Sequence, residues 1–200
     1  ATLDVDEVKP DEWLAYKKNH PERDITRYSP PGIGVELGLN VESPSLKDVD
    51  IRRALLMALD PWVLNLEVWN GLATVSGAGS AVGPSWLLSD ARLRNHLADP
   101  TRSRQLLQDR EMPLSSIELV VADYGDSYLR YGEGIRDQLQ TVGFDVSVRV
   151  LNPTLYGTEV WRDNQFEVYL GPTPLVRGPN SYLFGLVHSD GQWNKTGFSN

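Results

Sequence analysis

The sequence contains no cysteine and only three histidines in 200 residues. Without thiols there are no disulfide bonds and no thiolate metal sites, and the absence does not distinguish an oxidising from a reducing compartment. The histidines, His20, His96 and His188, are scattered, and none has a second histidine two to four residues away. We therefore expect neither a metal site nor a cofactor.

Positive charge and long apolar runs are also scarce. The chain has 19 Lys and Arg against 27 Asp and Glu, a net charge of −8. Nucleic acids and anionic membrane surfaces are bound by clustered basic side chains, so neither is an expected partner. No run approaches the ~20 apolar residues of a membrane-spanning helix. No signal peptide is visible, and the hydrophobic content of 40% is typical of a globular domain.

Residues 116–151 predict a strand, a helix and a second strand. The first strand is the β-branched run that begins at Ile117, and the second alternates apolar and polar residues from Phe144 to Val150. Between them, apolar residues recur every three or four positions up to Gly143, where a helix can end at positive φ. A helix of this length can cross a sheet, so the two strands should be parallel neighbours.

The remaining sequence predicts further helices and strands around this unit. Helices are expected at 8–19, 48–59, 61–71, 99–109, 153–164 and 181–187, strands at 33–41 and 166–170, and loops at 72–90 and 171–180. In the strand at 33–41 the glycines share one face, which suggests the close approach of another backbone. The three acidic residues Asp48, Asp50 and Asp60 are interpreted as helix N-terminal groups, and Arg52 and Arg53 as solvent-facing.

Aromatic and arginine side chains beside the predicted loops are the candidate binding groups. Trp86, Trp161 and Trp193 flank loops, where indole rings can stack on a ligand, although such rings also cover the edge of a core. Arg162 and Arg177 border the same region. Each is able to clamp a carboxylate or to form a surface ion pair.

Two alternatives of other classes remain open at the level of sequence. One is a small α/β hydrolase-like enzyme that uses Ser80 and His188, although Ser80 is not in a Gly-x-Ser-x-Gly motif. The other is an interaction domain without a ligand. A nucleotide site at 77–83 is not expected, because the glycines lack the lysine and the spacing of a phosphate-binding loop.

Six short stretches then occur in a consistent order along the chain. They lie at 40–60, 64–73, 99–107, 135–146, 166–171 and 194–200, and include D-V-D-I-R-R-A-L-L-M-A-L-D at 48–60 and I-R-D-Q-L-Q-T-V-G-F-D-V at 135–146. Each motif alone is weak. In this order they resemble the family 5 extracellular solute-binding proteins, the peptide- and nickel-binding group that serves ABC importers.

This resemblance implies an α/β fold, a type II periplasmic-binding-protein-like lobe with a mixed, mostly parallel sheet flanked by helices. It implies a non-enzymatic receptor that captures a small solute, peptide-like or other, in an interlobe cleft and delivers it to the permease subunits. The location would be periplasmic or, with a lipid anchor, at the cell surface, and the receptor would be a monomer. Because full members are about twice as long or more, residues 1–200 are expected to be one lobe of a longer protein.

The resemblance also indicates which residues line the cleft. The loop after the strand at 166–170 would contribute Gly171, Pro172, Thr173 and Arg177, with Trp86 or Trp161 as a stacking face. Arg162 falls near a position where peptide binders place an arginine. Peptide binders of the family carry G-W-x-x-D after this strand, and its acid meets the peptide's amino group. Residues 171–175 of this chain contain neither the Trp nor the Asp.

Overall fold

The computed structural model describes residues 10–23, 34–77, 87–108, 116–173 and 178–199. Its helices are α1 (Pro10–Asn19), α2 (Val49–Ala58), α3 (Pro61–Trp69), α4 (Asp90–Leu93), α5 (Pro100–Gln108), α6 (Asp126–Val142), α7 (Pro153–Tyr156) and α8 (Pro179–Val187). Its strands are β1 (Val35–Leu39), β2 (Ile117–Ala122), β3 (Val146–Leu151) and β4 (Val168–Pro172). In these ranges, no helix has the length and apolar character to cross a membrane.

The strands form one mixed sheet in the order β1-β4-β2-β3. Strand β2 runs parallel to β3, with Ile117 opposite Val146, and parallel to β4, with Leu119 opposite Val168. Strand β1 is antiparallel to β4, with Glu36 opposite Gly171. The structure thus confirms both the mixed, mostly parallel sheet and the predicted strand-helix-strand unit.

One face of the sheet is covered by α2, α3, α5 and α6. Leu119, Val121 and Leu170 point to this face and are fully buried. Helix α6 contributes Ile135 and Leu139, as its three-to-four periodicity predicts. The outer helix α5 is tied to α2 by the Ser103 hydroxyl, which donates to the Ala54 carbonyl at 2.7 Å.

The other face is covered by α7 and a π-helical turn (Gly157–Arg162) that continues it. Here Val120, Val160 and Tyr169 are buried among side chains that include Tyr156 and Phe166. The sequence predicts one regular helix over 153–164, and the π turn is a departure from that prediction. This second core is smaller and more aromatic than the first.

Two of the three acidic residues assigned to helix starts cap helices, and the third, Asp50, lies in the first turn of α2. Asp48 accepts from the backbone N–H of Asp50 at 2.8 Å, and Asp60 accepts from those of Trp62 and Val63 at 3.0 and 3.1 Å. The prediction for Arg52 is wrong, because its Nη1 donates to the carbonyls of Leu46 and Lys47 at 2.6 and 2.7 Å. The guanidinium therefore secures the loop before α2.

Two further details differ from the predictions. Strand β4 begins at Val168 and ends at Pro172, so Gly171 and Pro172 belong to a strand rather than to the predicted loop, because they pair with β1. The close approach at Gly38 is made by a side chain rather than by a backbone. The ring of Tyr169 fills the space that a Cβ of Gly38 would occupy.

Candidate ligand-binding site at the strand ends

The connections of the parallel strands diverge between β2 and β4. Helix α6, which leads from β2 to β3, packs on one face, whereas α7, which leads from β3 towards β4, packs on the other. In open α/β sheets a crevice forms where the connections diverge, outside the carboxyl ends of the strands, and ligands bind there. The ends of β2 and β4 are therefore the candidate site.

The crevice edge is built by short segments that follow or precede the strands. After β4, the Thr173 backbone N–H donates to the Gly34 carbonyl at 3.0 Å, which holds the end of β4 against the start of β1. After β2, Asp123 and Tyr124 are exposed, and the N–H of Asp123 donates to the Leu151 carbonyl at 2.8 Å. Gly125 has φ 111°, a conformation that favours glycine, and α6 starts directly after it.

A carboxyl group lies partly buried beside this edge. Glu36 is the second residue of β1, and its Oε1 accepts a hydrogen bond from the Tyr169 hydroxyl at 2.6 Å. Burial raises the pKa of Glu36 from 4.5 to about 7, and the hydrogen bond from Tyr169 opposes this shift. The carboxyl therefore changes its charge near neutral pH.

A tyrosine hydroxyl without a hydrogen-bond partner lies next to it. Tyr156 is 1% exposed, and its hydroxyl oxygen packs directly against Gly171, the residue opposite Glu36. Within the described residues no group bonds to this oxygen with good geometry. Burial, followed by the charge of Glu36, raises the pKa of Tyr156, whereas the Trp161 indole lowers it by a smaller amount. A buried hydroxyl of this kind destabilises the protein unless water or a ligand satisfies it.

Aromatic rings add an apolar surface to the crevice. Tyr124 is 49% exposed, and its ring centroid lies 5.7 Å from that of Tyr128 in the first turns of α6. Burial, and then the proximity of Tyr124, raises the pKa of Tyr128, so the ring is neutral at physiological pH. Tyr128 packs against the core on the α6 face of the sheet, whereas Tyr156 belongs to the core on the other face.

The structure brings part of the predicted site together. Gly171 and Pro172 end β4, and Thr173 follows them at the crevice. Arg162 is exposed and forms a two-point ion pair with Asp163 at 2.7 and 2.8 Å, which holds the pKa of that aspartate below its usual value.

The structure describes only some of the tryptophans and arginines that the sequence predicts for the site. Trp161 is half-buried, and its ring centroid lies 5.9 Å from that of Tyr169, so it covers the edge of the second core. Arg177 and Trp86 lie outside the described residues. Trp193, which also flanks a predicted loop, packs against Tyr182.

Glu36, Tyr156 and Tyr124 are not among the site residues that the sequence predicts. For Glu36 there was a signal, a single carboxylate in the otherwise apolar run Val-Glu-Leu-Gly-Leu at 35–39. For the tyrosines there was none, because their positions depend on which strands become neighbours.

Of the two groups named for the enzyme alternative, only His188 lies within the described residues. His188 is exposed and stacks on Phe184 with ring centroids 4.6 Å apart, and its Nδ1 accepts from the Asp190 N–H at 3.1 Å. Ser80 lies outside the described ranges. Among the residues that the structure describes, no three His, Cys, Asp or Glu side chains cluster as a metal site.

A second hollow, of about 420 Å³, lies beside α8. It is wide open and is lined by Asn180, Ser181, Phe184, Gly185, Asp190, Gln192 and Trp193. Its one titratable lining residue, Asp190, is exposed. We therefore place the candidate site at the strand ends.

Comparison with known proteins agrees with the fold and with the motifs. The sequence profile of the bacterial extracellular solute-binding proteins, family 5 middle region, matches residues 2–194. A comparison with curated protein sequences finds no match.

Solved structures of similar fold come from several bacteria. The ABC transporter substrate-binding protein CtaP of Listeria monocytogenes has a TM-score of 0.76 at 14% identity over 96% of this chain. The oligopeptide-binding protein AppA of Bacillus subtilis, in complex with a nonapeptide, has a TM-score of 0.74 at 16% identity over 94%. A Thermotoga maritima oligopeptide-binding protein with bound mannohexaose has a TM-score of 0.71 at 15% identity over 94%. In each case this chain spans 40% of the length of the other protein.

Proposed function

Because the chain belongs to family 5 of the bacterial extracellular solute-binding proteins, we propose that it forms part of one lobe of a two-lobed receptor for an ABC importer. The receptor captures a small solute, peptide-like or other, between its lobes and delivers it to the permease subunits. It acts outside the cytoplasm, in the periplasm or anchored to the cell surface, as a monomer and without catalysis.

The observation that carries this proposal is the chemistry of the crevice at the ends of β2 and β4. The partly buried carboxyl of Glu36 and the buried hydroxyl of Tyr156 lie beside the end of β4, and the exposed ring of Tyr124 follows the end of β2. Groups of this kind are stabilised by a ligand that covers them. The remaining length of the receptor, missing from this chain, would supply the opposite wall of the cleft.

Solute binding would act by shifting a population between open and closed receptors. A ligand that contacts both lobes binds the closed form more tightly and so favours it. The permease then distinguishes loaded from empty receptors by this closure. No bond in the solute needs to be made or broken.

The ligand-contacting residues on this lobe include Thr173 with the backbone of Gly171 and Pro172. Arg177, from the residues that follow, supplies a guanidinium, and Trp161 or Trp86 supplies an aromatic face. Arg162 is a weaker member of this set, because Asp163 already occupies its guanidinium. The ligands of the relatives, a nonapeptide in one and mannohexaose in another, support a small polar solute but do not choose between the two classes.

Native mass spectrometry of the full-length receptor, purified from its own cells, tests this function. We expect a bound small molecule that is released on denaturation. Arg177→Ala should weaken its binding in calorimetry by at least about tenfold, whereas Arg53→Ala, a substitution in an exposed ion pair of α2, should not. A receptor that carries no solute and closes on none would contradict the proposal.

A further inference from the structure

We propose that the exposed apolar side of α8 is an internal docking surface, covered in the complete receptor by a segment of its chain that lies beyond residue 200. This inference rests on the proposed function only in that residues 1–200 are taken as part of a longer receptor. It does not depend on which solute the receptor carries, and the crevice at the strand ends has no part in it.

Helix α8 has the composition of a buried helix, although one side of it lies in solvent. Its sequence, P-N-S-Y-L-F-G-L-V, contains no charged residue. Leu183, Phe184 and Val187 are 46%, 51% and 42% exposed. They share one side of the helix, because Val187 is three and four positions after the other two. A helix that is apolar all round is normally covered all round.

The other side of α8 is already occupied. Tyr182 is buried and packs with Leu186 and Trp193 in a small cluster that is separate from the two cores of the sheet. The Trp193 backbone N–H donates to the Gly185 carbonyl at 2.9 Å, and the Trp193 ring fills the space that a Cβ of Gly185 would occupy. The chain after α8 therefore folds back over this side, and the side that carries Leu183 stays open within the described structure.

The position of α8 in the family indicates what covers it. The matching profile describes the middle region of family 5, and its match ends at residue 194, close behind α8. This chain spans 40% of the length of CtaP and of AppA. A receptor of that length has further sequence to place beside α8. Since consecutive elements of a chain are usually neighbours in space, a segment beyond residue 200 is the expected occupant.

The size of the exposed side disfavours a second copy of the chain as the occupant. Nine residues of helix rise about 14 Å, and a side about 10 Å wide then offers about 140 Å². A stable dimer buries about 800 Å² on each partner. A segment of the same chain needs no such area, because its attachment spares most of the translational and rotational entropy that association costs.

The composition of α8 disfavours the permease and the membrane. Interfaces of transient complexes are about as polar as the rest of a protein surface, whereas permanent interfaces are more apolar. Helices that lie on a membrane surface carry Lys or Arg on their polar side, and α8 has neither. An apolar, uncharged helix therefore fits a contact that forms once, during folding.

The hollow of about 420 Å³ beside α8 suits a peptide segment. Its lining combines the rings of Phe184 and Trp193 with the polar side chains of Asn180, Asp190 and Gln192. Apolar side chains of the covering segment would pack on the two rings. The polar lining offers hydrogen bonds to the backbone groups of that segment, which need partners once they are buried.

Photo-crosslinking in the full-length receptor tests the inference. Phe184 is replaced by the photoreactive residue p-benzoylphenylalanine, which preserves an aromatic ring. The control places the same group at Tyr16, which is 43% exposed on α1, a helix with charged residues in its first and last turns. Both variants are irradiated at two protein concentrations about tenfold apart, and the crosslinked peptides are identified by mass spectrometry.

Thiol labelling supplies a second measurement. Because residues 1–200 contain no cysteine, Leu183→Cys introduces their only thiol, and its reaction with a maleimide is followed on the peptide that contains it. Glu133→Cys is the control, at an exposed position of α6. Each variant is labelled folded and in urea, and its melting temperature shows that it folds.

We expect the group at position 184 to form an intramolecular crosslink to a peptide from beyond residue 200, with a yield that dilution does not change. The Tyr16 control should not capture that peptide. In the folded receptor Leu183→Cys should react at least about tenfold more slowly than Glu133→Cys, because its thiol is reached only when the covering segment opens. In urea the two should react at equal rates.

Crosslinks between two copies, crosslinks confined to residues 1–200, or capture of the same peptide from Tyr16 would overturn the inference. So would labelling of Leu183→Cys as fast as that of Glu133→Cys, or protection that appears only when permease-containing vesicles are added. Native mass spectrometry of the same receptor separates the two proposals. A covered α8 in a receptor that carries no solute would support this inference and contradict the proposed function, and an open α8 in a loaded receptor would do the reverse.

Discussion

On the edge strand β3, Arg149 lies between two carboxylates, at 2.9 Å from Glu118 and 2.6 Å from Glu159. On the opposite edge strand, β1, and on the same face of the sheet, Glu36 has the phenol of Tyr169 as its only described partner. The first arrangement neutralises its charges within the lobe, and the pKa of Arg149 is raised by its hydrogen bonds to both carboxylates. In the second, burial raises the pKa of Glu36 to about 7, and no cation among the described residues opposes that shift.

The carboxyl groups on this sheet face thus differ in what compensates them, because Glu118 has a cation within reach and Glu36 has a neutral phenol. The following variants of this chain test that difference.

The largest effect should come from adding a methyl group beside Glu36 and Tyr156. In Gly171→Ala the new Cβ would overlap the Tyr156 hydroxyl, and the buried ring has little room to withdraw. We expect the free energy of unfolding in urea to fall by about 3 kcal/mol. The matched control is Gly157→Ala, where a Cβ meets open space within a helical turn. A drop of similar size in the control would indicate that the backbone, not Tyr156, sets the requirement for glycine.

Next in size is the effect of neutralising Glu36. Its folded pKa of about 7 lies above the ordinary 4.5, so the folded state holds its proton more tightly than the unfolded state does. This carboxyl therefore favours folding most below about pH 4.5 and loses that contribution as the pH rises through about 7. Glu36→Gln removes this pH-dependent loss. The free energy of unfolding of the variant should therefore exceed that of the wild type by about 2 kcal/mol at about pH 8 and equal it at about pH 4.

Urea unfolding at several pH values measures this contribution, and Glu118→Gln is its opposite control. Removal of the Glu118 charge leaves Arg149 with one partner fewer, so that variant should lose stability at about pH 8 rather than gain it. Equal pH profiles for wild type and Glu36→Gln would mean that the carboxyl is better solvated than its burial indicates.

A smaller loss of stability is expected when the ion pairs of Arg149 are removed. Arg149→Met should lower the free energy of unfolding by no more than about 1 kcal/mol. The side chains of Arg149, Glu118 and Glu159 are about one-quarter to two-fifths exposed, so solvent screens their charges. The difference should shrink in about 1 M salt. Arg53→Met, at a more exposed pair with Asp50, should change the stability less. A loss for Arg149→Met that salt does not reduce would point to packing of its alkyl chain instead.

The sequence predicts the strands, helices and caps of this fold better than it predicts the residues of the candidate site. The parallel pair β2 and β3 follows from a change of apolar period along the chain, and the caps Asp48 and Asp60 follow from residue type and spacing. These signals are local. Arg162 could also have been paired locally, because its partner Asp163 is the next residue.

The site depends instead on contacts between distant segments. Glu36 meets Tyr169 across 133 positions, and the alternation of β1 shows only that Glu36 and Leu37 face opposite ways. That both faces of the sheet are covered, and that Tyr156 reaches Gly171, follows from the strand order. The end of β4 differs from its prediction for the same reason, because pairing with β1 holds Gly171 and Pro172 in the strand.

The smallest effect on stability should come from removing a single oxygen atom, the hydroxyl of Tyr156. Tyr156→Phe deletes a hydroxyl that has no hydrogen-bond partner in the described structure, so the unliganded chain should gain about 0.5 kcal/mol or remain unchanged. Tyr169→Phe deletes the hydroxyl that donates to Glu36 at 2.6 Å and should instead lose stability. Urea unfolding of the two variants side by side compares them. A loss above about 1 kcal/mol in Tyr156→Phe would show that the hydroxyl is already bonded, for example through water.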